Sequence, residues 1–281
     1  MRKFLNKKGE SLTIVAILLV AISAAAVSSY SIWYRSFETQ TQKSISLNNI
    51  DDEMSKWGKG QTETSESSSE LIIGGNSVSF DGVNDYIKIP KSTSLNTPDA
   101  VTIEAWVNTT NNNITTKIVQ KGDWDGHGLG QDKWNGWQCH IYVQDKGMAK
   151  LEWGNGLPQK DRWYYLAVTY DGEKVIFYVD GAKVTETTIS GKPKVNTRDL
   201  YIASDGGSQK FFQGKIDQVS FYNRSLSPEE ISSHYNKQYP SQETGLVGRW
   251  SFDEITGNTV VDSSGNGNDG TIIDANRSTS G

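Results

Sequence analysis

The chain has one cysteine among 281 residues, so no intrachain disulfide can form and stability must come from a packed core or a bound metal. It has six prolines against 27 glycines. Its turns must therefore be built from Gly, Asn, Asp and Ser rather than from Pro. Basic residues do not dominate: 28 Lys and Arg stand against 33 Asp and Glu, for a net charge of −5. Nucleic acid is not an expected partner, because binding it needs a basic face. The three histidines, His127, His140 and His234, are scattered and lack zinc spacing. His234 is expected on a helix surface. No Gly-x-Ser-x-Gly nucleophile elbow is present.

One long apolar run exists, Leu12 to about Ser29, preceded by Arg2, Lys3, Lys7 and Lys8. As a helix it would span roughly 27 Å, close to the hydrocarbon core of a bilayer. Positive charge before the run places the N-terminus inside and the body outside, with Tyr30, Trp33 and Tyr34 at the interface. Three readings stand: a signal anchor, a secretory signal cut near Ala24-Ala25-Ala26, or a prepilin leader. Lys7-Lys8-Gly9-Glu10 followed by the apolar run resembles class III, type IV pilin-like leaders, which are cut after the Gly. Ile14 stands where many bacterial pilins carry Glu, which leaves a looser, archaeal-like kind. Residues 1–57 are thus expected to form leader, transmembrane or pilin-like helix and stalk. Residues 58–70, rich in Ser, Thr, Glu and Gly, read as a flexible linker.

From Leu71 onward, short β-rich runs alternate with Asn, Asp, Gly and Ser turns, the pattern of an all-β sandwich. Ser79-Phe80-Asp81-Gly82-Val83-Asn84-Asp85-Tyr86-Ile87 reads as a strand, a hairpin turn and a second strand. This phrase resembles the opening of LamG-like jelly-roll domains, relatives of concanavalin A-like lectins and glucanases. Val101–Val107, Trp163–Gly172 with Val175–Gly181, and Gly214–Asn223 with Leu226–Ile231 are similar, in order, to that family's core strand, central hairpin, closing strand and short helix. The resemblance implies an all-β, two-sheet antiparallel jelly-roll sandwich over 71–281, with a helix at Pro228–Tyr235. In that family a segment like Gly245–Glu254, with a turn like Asp262–Thr271, precedes the Ser79–Gly82 phrase. Here it comes last. Either 245–281 folds back to supply terminal strands, or it begins a second, truncated domain.

Resemblance to calcium-carrying jelly rolls suggests that Asp217, Asp253, Asp262 and Asn266 share one structural calcium ion. Calcium takes six to eight oxygen ligands, which an Asp- and Asn-rich turn supplies. The same turn can equally form Asx-turns without metal. A second candidate is the stretch Asp123–Trp137, read as a long polar loop, in which Trp124 and Trp134 would stack on sugar rings while Asp125, His127 and Asn135 bond hydroxyls. Trp106, Trp137, Trp153, Trp163 and Trp250 are expected to fill the core, as is Cys139. The paired acids of the fold's glucanases, Glu-x-Asp-x-x-Glu on one strand, are absent, and Glu104 lies alone on its strand. The expectation is therefore a non-catalytic recognition domain displayed at the cell surface or on a pilus, with a glycan or surface polysaccharide as partner. Membrane attachment and pilin-like neighbours would follow from the N-terminal helix. A structural minor pilin or envelope subunit, and a glucanase-related hydrolase, are the alternatives.

Overall fold

A computed structural model describes residues 75–122, 125–240 and 242–279. The N-terminal apolar run, the linker and Trp124 lie outside the described residues, and with them the leader and membrane readings. Among the described residues no helix is long and apolar enough to cross a membrane.

Two eight-stranded antiparallel sheets face each other. The first contains β1 (Asn76–Asp81), β3 (Val101–Thr109), β8 (Trp163–Tyr170), β9 (Lys174–Val179), β10 (Ala182–Thr188), β12 (Gln213–Tyr222), β13 (Leu246–Trp250) and β16 (Asn276–Thr279). Its order is β10-β9-β8-β3-β12-β1-β16, with β13 also pairing β12. The second contains β2 (Tyr86–Ile89), β4 (Thr116–Lys121), β5 (His127–Asp132), β6 (Gly136–Val143), β7 (Gly147–Glu152), β11 (Leu200–Ile202), β14 (Thr259–Val260) and β15 (Gly270–Ile273). Its order is β14-β15-β2-β11-β4-β5-β6-β7.

Period-two alternation decides which side chains enter the core. Val78 and Phe80 of β1, Ile87 and Ile89 of β2, Leu166 and Val168 of β8, and Cys139 and Ile141 of β6 all point between the sheets and are buried. The turn Asp81–Asp85 does join two strands, but they do not form a hairpin: β1 and β2 belong to different sheets. Asp81 Oδ1 accepts from Val83 N at 2.7 Å and Asp85 Oδ2 accepts from Asp81 N at 2.8 Å. These bonds brace the turn as a corner between the sheets.

The C-terminal segment pairs into both sheets. β13 lies on β12, β15 on β2, and β16 on β1. Trp250 and Phe252 are fully buried in the inter-sheet core. Gly248 makes room for the Trp250 ring, since a Cβ there would stand 2.5 Å from it.

Helix α1 (Pro228–Tyr235) opens with a capping box formed by Ser227 and Glu230 and covers the outer side of the first sheet. Beneath it Trp106, Tyr165, Tyr178, Tyr222, Leu226 and Ile231 form a second apolar cluster. His234 is not a surface residue: it is 2% exposed and its Nδ1 lies 2.9 Å from Glu104 Oε1. Glu104 is not alone either, because Tyr165 donates to the same oxygen at 2.6 Å. A carboxylate on this sheet face needs such partners once the helix has covered it.

Candidate functional site

The stretch expected as a long polar loop is a hairpin of β5 and β6, with only Lys133, Trp134 and Asn135 between them. Strand β5 therefore separates the expected sugar contacts. Asp125 and His127 stand at one end, and Trp134 and Asn135 at the other, roughly 17 Å away at about 3.4 Å per residue. Trp134 is 56% exposed, with Lys133 Nζ 4.0 Å from its ring centroid. Asp132 Oδ1 accepts from Trp134 N and Asn135 N, which fixes the turn. Asp132, Lys133, Trp134 and Asn135 line a cleft of 490 Å³.

His127 belongs to the inward set of β5, in register with Lys121 and Ile141. It is 2% exposed, and its Nδ1 accepts from Tyr142 N at 3.1 Å. Burial, reinforced by the Lys121 charge, pushes its pKa down to about 4. It cannot bond a sugar hydroxyl from there, which corrects the sequence expectation. Asp125 is held by Lys194 at 2.8 Å, and that contact keeps its carboxyl below the usual range.

The outward face of the second sheet carries the polar and aromatic residues that sequence reasoning passed over. One cross-strand row runs Lys88, Tyr201, Gln120, Gly128, His140 and Lys150. The next contains Lys117, Gly130, Gln138 and Glu152. Tyr86 packs against Tyr201 and Phe211 with ring centroids 6.0 and 6.4 Å apart. Tyr142 lies on the same face, with Lys194 Nζ 5.1 Å from its ring. At the β2 side a cleft of 770 Å³ is lined by Lys88, Lys91, Arg198, Asp199 and Tyr201.

Gly128 and Gly130 form the floor between these rows. A Cβ on either would meet the backbone of β4, at 2.3 Å from Val119 O and 2.6 Å from Thr116 O. Any side chain there would force β4 and β5 apart; both glycines are buried, with the side chains of Gln120, Gln138 and His140 packed close to them. A signal was present in the sequence: Gly128 and Gly130 fall at alternate positions opposite Gln138 and His140. It could be read only once the register was known.

A second constellation lies on the first sheet. Asp217 is 1% exposed, and no side chain hydrogen-bonds its carboxylate; the adjacent Gln218 main-chain N–H is the one donor beside it. Burial raises its pKa to about 7, and the nearby Asp253 charge adds to the rise. Asp253 Oδ1 accepts from Asn76 N, and its carbonyl from Asn76 Nδ2, each at 3.2 Å. A buried carboxylate with no side-chain partner, within reach of a second one's charge, is the environment that a bound cation relieves. Asp262 is differently placed. Its Oδ1 accepts from Arg249 N and Ser264 N, and its Oδ2 from Asn268 N, all at 2.9 Å. Asn266 Nδ2 donates to Leu246 O and Ser264 Oγ. Asp253 thus lies near enough for its charge to act on Asp217, while Asp262 and Asn266 are engaged in fixing their own turn. Among the described residues no group of three or more His, Cys, Asp or Glu side chains converges on a metal position, so main-chain carbonyls or water would have to complete any set.

Residues 81–232 match the model of the concanavalin A-like lectin/glucanases superfamily. The chain belongs to that superfamily. Among solved structures, a candidate carbohydrate-binding protein from Bacteroides ovatus superposes with a TM-score of 0.60 at 19% identity, covering 73% of this chain and 60% of its own. The heptameric SAP-like pentraxin of Limulus polyphemus gives 0.50 at 11% identity, over 75% of this chain and 98% of its own. This chain thus spans less than two thirds of the Bacteroides protein. No curated protein matches it. At these identities the superfamily likeness establishes the two-sheet fold, and the site has to be argued from the residues of this chain.

Proposed function

We propose that the domain is a non-catalytic carbohydrate-binding module whose ligand lies on the outward face of the second sheet. The observation that carries this reading is the cleft at the β2 side of that face, where Tyr201 stands beside Lys88, Lys91, Arg198 and Asp199. Sugar rings present C–H faces that stack on Tyr rings, and hydroxyls that pair with Gln, His and Lys. Tyr201 and Tyr142 offer the stacking surfaces, and Trp134 with Asn135 forms an end-stop at the hairpin tip. The description of the Bacteroides relative points the same way.

A hydrolytic reading finds less support. Glycoside hydrolysis needs two carboxyls facing each other across the bond to be cut. On this face Glu152 is held by Lys150 at 2.7 Å, Asp199 by Lys88 at 3.1 Å, and Asp205 by Lys210 at 2.9 Å. Glu104 sits on the other sheet beneath α1. The leader-like N-terminus favours display at the cell surface, anchored in a membrane or carried in a pilin-like filament, where many copies would add avidity to a weak single site.

Affinity electrophoresis against a panel of soluble polysaccharides tests the reading. At least one glycan should retard the protein, and Tyr201→Ala should weaken that binding by about tenfold, the equivalent of one lost stacking contact of about 1.4 kcal/mol. Unchanged affinity in Tyr201→Ala and in Trp134→Ala would move the site off this face.

We also propose that Asp217 and Asp253 hold a structural calcium ion completed by main-chain carbonyls and water. The ion would neutralise the buried Asp217 carboxylate and fasten β12 to the segment following β13. At a calcium concentration 100-fold above Kd, the gain is about 2.7 kcal/mol, or roughly 5–10 °C in Tm for a domain of this size. EDTA should remove that increment, and Asp217→Asn should melt at the same temperature in calcium and in EDTA. A wild-type Tm indifferent to both additions would exclude the ion.

A further inference from the structure

The chain holds three Asn-Gly pairs, Asn135-Gly136, Asn155-Gly156 and Asn266-Gly267. Such a pair can modify itself. Glycine has no side chain to screen its main-chain nitrogen, so that nitrogen can reach the side-chain amide carbon of the asparagine before it. The two atoms must be brought together for reaction, and a fold that holds them apart suppresses it. The three pairs differ in this respect.

Asn135 and Gly136 are fixed at the tip of the β5–β6 hairpin. Asn135 N donates to Asp132 Oδ1 at 3.1 Å. Gly136 opens β6, is buried, and stands in register with Asp132. A Cβ on it would lie 2.1 Å from Gly156 O, which leaves its main chain little room to rotate. Asn266 is tied by its own amide, whose Nδ2 donates to Leu246 O at 3.3 Å and to Ser264 Oγ at 3.1 Å. Asn155 is in the opposite situation. Residues 154–157, between β7 and β8, are all exposed and belong to no helix or strand. Among the described residues, neither the Asn155 side chain nor the Gly156 N–H makes a hydrogen bond. Gly154 and Gly156 have φ of +76° and +78°, and a Cβ on either would meet nothing within 4 Å. The backbone on both sides of Asn155 can therefore turn into the attacking geometry.

We propose that Asn155 is a site of spontaneous conversion to aspartate and isoaspartate. Hydroxide takes the proton of Gly156 N. The nitrogen bonds to Asn155 Cγ, the Cγ–Nδ2 bond breaks, and ammonia leaves, which closes a five-membered succinimide. Water then opens the ring. Attack at Cγ gives aspartate, and attack at the main-chain carbonyl gives isoaspartate, with the chain running through Cβ and Cγ. Either product adds a negative charge, and isoaspartate adds a main-chain atom. Both changes fall beside the hairpin tip that carries Trp134 and Asn135, because Gly156 O lies against Gly136. Altered recognition at that tip would rest on the carbohydrate reading; the conversion itself does not.

The test is incubation of the full chain at pH 8.5 and 37 °C, with peptide mass spectrometry at intervals. Trypsin cleaves after Lys and Arg and places the three pairs on separate peptides, 151–160, 134–146 and 250–277. Electron-transfer fragmentation separates aspartate from isoaspartate. Asn155 should convert at least tenfold faster than Asn135 and Asn266, with isoaspartate among its products. In guanidinium chloride the three rates should draw together, because the fold no longer protects two of them. Similar rates at the three pairs in the folded chain would overturn the proposal, as would conversion of Asn135 or Asn266 ahead of Asn155. A rate at Asn155 that rises at least tenfold on unfolding would also overturn it, by showing that the folded loop holds the amide away from Gly156 N. None of these readouts requires a glycan, so failure here and failure of the carbohydrate reading are told apart.

Discussion

Ending the chain at Gln242 is expected to abolish cooperative folding. The cut removes β13 to β16 and takes Val247, Trp250, Phe252, Val260 and Ile272 out of the core. Emptying a buried Trp or Phe site alone costs about 3–5 kcal/mol. Two such losses, with three aliphatic ones beside them, match or exceed the roughly 5–15 kcal/mol that hold a typical domain together. The backbone suffers as well. β2 loses its β15 partner, β1 loses β16, and one half of β12 loses β13. Thermal melts followed by far-UV circular dichroism decide the matter. A sigmoidal melt within 5–10 °C of the whole chain, scaled from about 2–4 °C per kcal/mol, would mean that the last strands decorate the sandwich rather than complete it.

The second large effect is a loss of stability in mild acid through His127. Burial pushes its pKa in the folded chain down to about 4, against about 6.5 for an exposed imidazole. Between those values the unfolded chain binds a proton that the folded chain refuses. Stability is therefore fully present above pH 6.5 and drains away as pH falls toward 4. The separation corresponds to roughly 3 kcal/mol. Replacing the ring by a group that does not titrate removes this slope, whatever it costs at neutral pH. Urea midpoints at pH 7 and pH 4.5 should accordingly fall further for the wild type than for His127→Gln, by the equivalent of about 2–3 kcal/mol. His140, buried and also shifted downward, mainly by burial, contributes to both proteins, so most of its share drops out of the comparison. Parallel losses in the two would show that His127 is reached by solvent.

Much of the fold was legible because strand burial follows a period of two and turn residues mark the corners. The central hairpin of β8 and β9, the closing strand β12 and the helix Pro228–Tyr235 stand where the Trp163–Gly181 and Gly214–Ile231 phrases put them. Pairing was less legible than the strands themselves. The Asp81–Asp85 turn has the composition of a hairpin, but partner choice depends on contacts far away in sequence, and β1 and β2 went to opposite sheets. The Asp123–Trp137 stretch looked like a loop because its strand contains Gly128 and Gly130, residues poor in strand propensity. They serve β5 because the β4 backbone passes so close. His127 and His140 are both on that hairpin, yet one faces inward and the other outward. Which way each points is fixed by register, and no local feature of the chain reports it. His234 and Glu104 lie 130 residues apart and meet only because the helix folds over the sheet.

The pairing of β1 with β16 also bears on the order of assembly. Ser77 and Ser278, 201 residues apart, are neighbours across that ladder. A ribosome delivers the first of these strands long before the second, so the sandwich cannot close until β16 has been made. Contacts of such long sequence separation slow folding. Until they form, β1 and β2 each have an open edge able to pair with another chain. The domain therefore closes late, once β16 is available to pair with β1.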